Sequence, residues 1–116
     1  MREFLSITKA LSDENRVRIL AFLGGCELCA CHIVEVLGLA SSTVSKHLFI
    51  LQNANLVEMR KQGRWRFFRL PGRGASPIVK KALKWLRDSI EDGGIIEEDR
   101  GRLAKALKDR PLESCQ

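Results

Sequence analysis

The sequence has no apolar run that approaches the length of about 18 residues needed to cross a bilayer. Its first residues lack the apolar segment and the small-residue cleavage site of a signal peptide. It also has no internal repeat and no low-complexity tract. These absences predict a cytoplasmic protein with no membrane partner, and its 116 residues predict a single domain.

Acidic residues are absent between Glu58 and Asp88, although the whole chain has 14 of them. The same stretch holds half of the chain's 20 basic residues, and the net charge is +6. A region with charge of one sign suits a polyanion such as DNA. A solvated basic face with no partner is the alternative, and charge alone leaves both open.

Apolar spacing and turn residues predict a mainly α fold with a small β-hairpin. Two short helices joined by a turn containing Gly38 form a helix-turn-helix pattern, and the hairpin turns at Gln62-Gly63. We predict a winged helix-turn-helix domain over 1–94 and a C-terminal tail, 95–116, with at most a weak helix. The predicted helices cover 2–11, 14–24, 29–37, 42–53, 77–92 and 96–109, and the strands cover 56–61 and 64–70. The first helix would have Phe4, Leu5, Thr8 and Leu11 on one side, and Ser41 would cap the fourth helix.

The fourth predicted helix has one apolar stripe, formed by Val44, Leu48 and Leu51. The opposite face is polar and basic, and hydroxyl and ammonium groups can bind phosphates or base edges. Ordinary helix-start chemistry is the alternative for the hydroxyl residues, and a packed histidine is the alternative for His47. From this helix and the hairpin we predict DNA contacts by Ser42, Thr43, Ser45, Lys46, His47, Lys61, Arg64 and Arg66.

Three of the four cysteines, Cys26, Cys29 and Cys31, lie within six residues. In a cytoplasmic chain this clustering indicates metal or redox chemistry rather than structural disulfides, since thiolates bind soft ions. Residues two apart in a regular helix point about 200° away from each other, so a shared ion would require a distorted first turn. Buried small hydrophobic residues are the alternative. Cys115 is either a fourth ligand or a free thiol.

Several segments together resemble the ArsR/SmtB family of metal-sensing repressors. They are Ala10–Leu20, Leu39–Leu48, Gly63-Arg64-Trp65 and Phe68-Arg69-Leu70. The resemblance covers roughly residues 5–90. It implies a homodimeric winged-helix repressor that binds double-stranded operator DNA without a cofactor, with the first and fifth helices forming the dimer interface.

The segment Glu27-Leu28-Cys29-Ala30-Cys31 is similar to a box of the arsenic- and antimony-responsive members, which implies that Cys29 and Cys31 are metal ligands. The usual third cysteine of those members falls on Val34 here, so we assign Cys26 in its place for As(III) or Sb(III). Cd(II), Zn(II), Pb(II) and thiol oxidation are alternative signals. Members that bind zinc on the fifth helix use histidine there, and 77–92 has none. His32 replaces the usual Asp, and we expect it to be exposed. A zinc ligand is the alternative role for this residue.

Two rival functions remain. A cysteine enzyme would pair Cys29 with His32, but no third orienting group, oxyanion motif or phosphate-binding glycine loop is evident. A winged helix that binds protein instead of DNA is disfavoured by the acid-free basic stretch. The sequence therefore predicts a repressor rather than an enzyme.

Overall fold

The computed structural model describes residues 1–90 and 94–111. In these ranges the order of elements is α1 (Arg2–Ala10), α2 (Glu14–Phe22), β1 (Leu28–Cys29), α3 (Ala30–Leu37), α4 (Ser41–Asn53), β2 (Glu58–Gln62), β3 (Trp65–Arg69), α5 (Pro77–Ser89) and α6 (Gly94–Asp109). The predicted mainly α fold with a hairpin is confirmed, and β1 is an addition to it.

Local side-chain chemistry explains where α2, α3 and α4 begin or end. Asp13 caps α2, because its carboxylate accepts from the backbone N–H groups of Asn15 and Arg16 at 2.8 and 3.2 Å. Gly38 ends α3 in the left-handed conformation, at φ 67°. The prediction that Ser41 caps α4 is wrong, because Ser41 is already helical and Ala40 precedes the helix without a side-chain bond.

The three strands form one antiparallel sheet in the order β1-β3-β2. The hairpin of β2 and β3 runs in register from the pair Glu58 and Arg69 to the pair Gln62 and Trp65. Strand β1 lies on the other side of β3, where Cys29 pairs with Phe67. The segment that contains the cysteines therefore shares a sheet with the hairpin.

The core lies between the helices and the inner face of the sheet. Val44, Leu48 and Leu51 of α4 are buried in it, as the predicted stripe requires. Ile7 and Ala10 are the residues of α1 that are buried in the core, while Phe4 and Leu5 are 54% and 55% exposed. Helix α1 therefore presents an apolar outer face.

Helix α6 packs against α2 and α3. Ile96, Asp99 and Ala106 are its buried residues. The guanidinium of Arg18 on α2 donates two hydrogen bonds to the Asp99 carboxylate, each 2.9 Å long, and this contact raises the pKa of Arg18. Segment 94–109 is thus a full helix joined to the domain by a buried ion pair.

Among the described residues, no single helix is long and apolar enough to cross a membrane. Helices α3 and α4 reach the length and apolar composition of a membrane span only when they are taken together, and the chain bends by 114° between them. Most of their apolar side chains face the core, among them Ile33, Val36, Val44 and Leu48.

Candidate metal centre and nucleic-acid interface

Cys29 stands at the junction of β1 and α3, and this position sets the direction of its thiol. Its backbone is extended, at φ −69° and ψ 148°, and its sulfur accepts from the Cys31 backbone N–H at 3.4 Å. The Cys31 thiol donates to the Cys29 sulfur at 2.7 Å. The prediction that Cys29 lies within the third helix is wrong: α3 begins at Ala30, so the two sulfurs meet with only Cys31 in the helix.

His32 is completely buried, and the expectation that it is exposed is wrong. Its Nε2 lies 2.6 Å from the Arg110 carbonyl oxygen, just beyond the end of α6. A carbonyl can only accept, so Nε2 donates and Nδ1 of the neutral ring is left as an acceptor. Nδ1 is buried and has no hydrogen-bond partner in the part of the chain that the structure describes.

Cys29, Cys31 and His32 form a group with the donor set of a metal centre. One ligand atom from each of the three residues lies within 4.8 Å of the other two. Cys29 and His32 are buried, and Cys31 is half-buried. Sequence reasoning considered His32 as a zinc ligand but placed it at the surface, because the helix that covers it is remote in the chain.

Cys26, the predicted third sulfur ligand, lies outside this group. Its thiol is directed at the Phe22 carbonyl oxygen, 3.9 Å away, and burial raises its pKa. It lines a cleft between α2 and α6 together with Arg100 and Leu103. Cys115 lies outside the described residues.

The side chain of Glu27 connects the cysteine segment to the hairpin. Its carboxylate accepts two hydrogen bonds from Arg60 of β2, at 2.6 and 3.2 Å, and this contact lowers the pKa of Glu27. The Arg60 guanidinium also lies over the Phe67 ring, 4.6 Å from its centroid. Arg60 is therefore engaged within the domain.

A surface cleft of about 540 Å³ connects the cysteine segment to α4. Cys31 and Val34 line one side of it, and Ser41 and Ser45 line the other, with Arg66 at the hairpin end. The half-buried sulfur of Cys31 thus faces a cleft shared with residues predicted to bind DNA.

Most of the predicted DNA-contact residues are exposed. Helix α4 presents Ser42, Thr43, Ser45 and Lys46, and the hairpin presents Lys61, Arg64 and Arg66. The Arg64 guanidinium lies 5.5 Å from the centroid of the Trp65 ring, in cation–π contact. The structure places these side chains on exposed surfaces of the two elements that the sequence predicts to touch DNA.

His47 differs from the other members of that set because it is half-buried. Its Nδ1 accepts from the Arg16 guanidinium at 3.1 Å. Arg16 is itself buried and also donates to the carbonyl oxygens of Lys9 and Ala10, at 3.1 and 2.8 Å. Sequence reasoning missed Arg16, which connects the end of α1 and the start of α2 to α4.

Comparisons with known proteins agree with this arrangement. A family model described as "Bacterial regulatory protein, arsR family" matches residues 13–59. A CadC homolog of Staphylococcus aureus, named as a cadmium resistance transcriptional regulatory protein, is 32% identical, covering 75% of this chain and 73% of its own length. An arsenical resistance operon repressor of Escherichia coli is 36% identical, covering 75% and 78%.

A solved structure of HlyU from Vibrio cholerae resembles the chain with a TM-score of 0.63 and 30% identity, covering 75% of this chain and 90% of that one. These matches confirm the predicted winged helix-turn-helix fold. They also confirm that the chain is a regulator rather than an enzyme.

Proposed function

The chain belongs to the ArsR family of bacterial regulatory proteins, and from that premise we propose that it is a homodimeric repressor that arsenite or antimonite releases from its operator. The signal would bind the thiols of Cys29 and Cys31. The observation that carries the proposal is the position of Cys29, whose sulfur lies 2.7 Å from that of Cys31 at the point where a strand of the sheet becomes α3.

An ion held by both sulfurs would act on two elements that lead to the DNA surface. Through Cys29 the ion would shift β1, which pairs with β3 of the hairpin. Through Cys31 it acts on α3, which packs against α4. Release requires only that the ion binds more tightly to the form with low DNA affinity, and a coupling of about 3 kcal/mol would weaken operator binding about 150-fold.

The proposed DNA contacts use the first half of α4 and the tip of the hairpin. Lys46, Arg64 and Arg66 would contact phosphate or base edges, with the hydroxyls of Ser42 and Ser45 beside them. His47 would contribute only through the part of its ring that Arg16 leaves accessible. Thr43 and Lys61 complete the proposed set.

The proposed dimer interface is the outer face of α1 and α5. Phe4, Leu5 and Trp85 are 54%, 55% and 64% exposed, and α1 packs beside α5. Large apolar side chains on two neighbouring helices indicate a contact with another molecule. A two-fold dimer through this face would present two copies of α4 to a palindromic site.

A three-sulfur centre for As(III) needs Cys26 as well, and the Cys26 thiol would have to leave the Phe22 carbonyl.

Reduced thiols and a DNA partner both fit the cytosol as the place of action. The second candidate is the same repressor responding to Cd(II), Zn(II) or Pb(II), and the position of the His32 ring beside the two thiols favours it. Oxidation of the two adjacent thiols is a further alternative signal.

Fluorescence anisotropy of labelled promoter duplex tests the proposal, with reduced protein titrated alone and with As(III), Sb(III), Cd(II) and Zn(II). Operator binding that is lost with As(III) and Sb(III) supports the metalloid sensor. Loss with Cd(II) or Zn(II) alone supports the second candidate. Absence of binding to every candidate promoter would overturn the repressor.

A further inference from the structure

Phe49 is an exposed aromatic residue of α4 that neither the core nor the proposed set of DNA contacts explains. Its side chain is 62% exposed, and it does not belong to the core that the described residues form. Phe is among the residue types most often found buried in proteins. A single exposed apolar residue is common on protein surfaces, so the surroundings of Phe49 decide what it can do.

The neighbours of Phe49 on α4 are the hydroxyl and ammonium groups proposed to contact DNA. At about 100° per residue, Ser42, Ser45 and Lys46 project within about 60° of Phe49 around the helix axis. All three side chains are exposed. The buried apolar stripe of the helix lies at least about 100° away from Phe49. Phe49 therefore belongs to the outer, DNA-facing side of α4.

The charge of this surface favours a nucleic acid as the partner of Phe49. Helix α4 has no acidic residue along its 13 positions. Arg66 of the hairpin lines the same cleft as Ser45. Phosphates flank both sides of a duplex groove, so cationic and hydroxyl groups around an aromatic ring fit a groove better than they fit an apolar protein surface.

We propose that Phe49 recognises a thymine in the major groove by contacting its C5 methyl group. The other groups that base pairs use for recognition in this groove are hydrogen-bond donors and acceptors. A phenyl ring placed against one of those would exclude water without replacing the hydrogen bond, which is costly. The inference rests on the proposed function, in which α4 enters the major groove, and it adds a specificity-determining residue.

The length of the outer face allows Phe49 and the polar residues to contact different base pairs. From Ser42 to Phe49 the helix rises about 10 Å, which equals about three base pairs of duplex. Ser42 and Lys46 would thus contact one part of a half-site, and Phe49 would select a T·A pair in another part. In the proposed two-fold dimer the same contact occurs once in each half-site.

Replacement of thymine by deoxyuridine tests the proposal, because deoxyuridine lacks only the C5 methyl group. The reduced full-length protein first selects a duplex from a random-sequence library. Each thymine of that duplex is then replaced in turn, and fluorescence anisotropy measures the affinity. One position in each half-site should lose affinity about fourfold, which is the factor that burial of one methyl group contributes.

Variants of Phe49 assign the lost affinity to this side chain. Phe49→Ala should bind the thymine and deoxyuridine duplexes equally at the sensitive position, because the ring that contacts the methyl group is gone. Phe49→Leu, which keeps an apolar side chain, should retain a preference for thymine. Ser42→Ala is the matched control on the same face, since it should weaken binding without changing the response to deoxyuridine.

The fold of the variants is checked by thermal unfolding, and the Tm of Phe49→Ala should equal that of the wild type because the residue lies outside the core. If Phe49→Ala does not fold, crosslinking of the wild-type complex decides. A duplex with 5-iododeoxyuridine at the sensitive position should crosslink to Phe49 on irradiation, and a crosslink confined to other residues would overturn the assignment.

Equal affinity of the wild type for all thymine and deoxyuridine duplexes would overturn the proposal, as would an equal loss in the wild type and Phe49→Ala. In either case the repressor still binds its selected duplex, so only this inference fails. A methyl preference that persists while arsenite and antimonite release no DNA would instead contradict the proposed signal alone. Selection that enriches no duplex would overturn both.

Discussion

Cys29 and Phe67 are paired residues of one antiparallel ladder, so a thiol of the candidate metal centre and the hairpin belong to the same sheet. The two residues also pack together as a small buried cluster, with Cys31 and Trp65 at its edge. Trp65 in turn lies under the guanidinium of Arg64. A change in position at Cys29 therefore reaches a residue proposed to contact DNA through direct packing.

Cys29→Ser should keep operator binding and lose release by arsenite. Ser is a preferred residue at a helix N-cap, so the start of α3 should persist, while the ion loses one sulfur ligand. Anisotropy titrations with and without arsenite measure both properties. A variant that arsenite still releases would contradict the role of this thiol. Cys26→Ser, measured in parallel, separates a three-sulfur centre from one that does not need Cys26.

Lys46→Ala and Arg64→Ala should each weaken operator binding and lower the salt dependence of the binding constant. If each side chain neutralises one phosphate, the slope of log K against log salt should fall by about one. Lys105→Ala is the control, because it removes the same single positive charge from an exposed position on α6. Affinity that equals the wild-type value at every salt concentration would remove that residue from the interface.

Trp85→Glu should convert the proposed dimer to a monomer and weaken operator binding, because a charge would be buried in an apolar interface. The side chain is 64% exposed in the protomer, so the fold should persist. Sedimentation velocity and thermal unfolding measure the two effects. Phe49→Ser is the control, since Phe49 is equally exposed but lies on α4. If Trp85→Glu remains dimeric, the interface lies elsewhere.

Asp99→Ala should destabilise the domain by about 3 kcal/mol, because it leaves the Arg18 guanidinium without its buried partner. Urea unfolding measures the loss, and hydrogen exchange should show it first in α6. The control is Glu98→Ala, which removes an exposed contact to Arg102 and should cost about 0.5 kcal/mol. Equal effects of the two variants would show that the Asp99 pair does not anchor α6.

Glu27→Gln should reduce stability at neutral pH and have no effect in acid. Arg60 holds the folded-state pKa of Glu27 below its ordinary value of 4.5, so the ion pair contributes at pH values above 4.5. That contribution disappears as the pH falls through the lower, folded-state pKa. Because the pair is partly exposed, the effect should be small. Urea unfolding at pH 7 and in acid measures the difference in stability between the wild type and Glu27→Gln. A difference that grows toward acid pH would contradict the prediction.

The helices and the hairpin could be predicted because their signals are local. The stripe of Val44, Leu48 and Leu51 has the helical period, and Gly63 marks the hairpin turn with a φ of 60°. Strand β1 could not be predicted, since it has two residues and exists only through pairing with the distant β3. Without it, Cys29 was assigned to the helix, and the direction of its thiol could not be derived.

The arrangement of the candidate metal centre was predictable only in part, for a related reason. The cluster of Cys26, Cys29 and Cys31 suggested sulfur ligands, but the burial of His32 depends on α6, more than sixty residues later in the sequence. For Phe4 and Leu5, apolar periodicity shows that the helix has an apolar side without showing what covers that side. Such errors arise where tertiary contacts between remote segments decide the environment of a residue.

The hydrogen bond between His32 and Arg110 joins residues that are far apart in the sequence, so it can form only after Arg110 has been synthesised. The cysteines and α4 leave the ribosome well before α6, and N-terminal segments can begin to fold first. Until Arg110 arrives, the His32 ring has neither its carbonyl partner nor its cover, and Arg18 has no Asp99. The surfaces proposed to touch DNA can thus form early, whereas the His32 ring is held in its orientation only once α6 and Arg110 have been made.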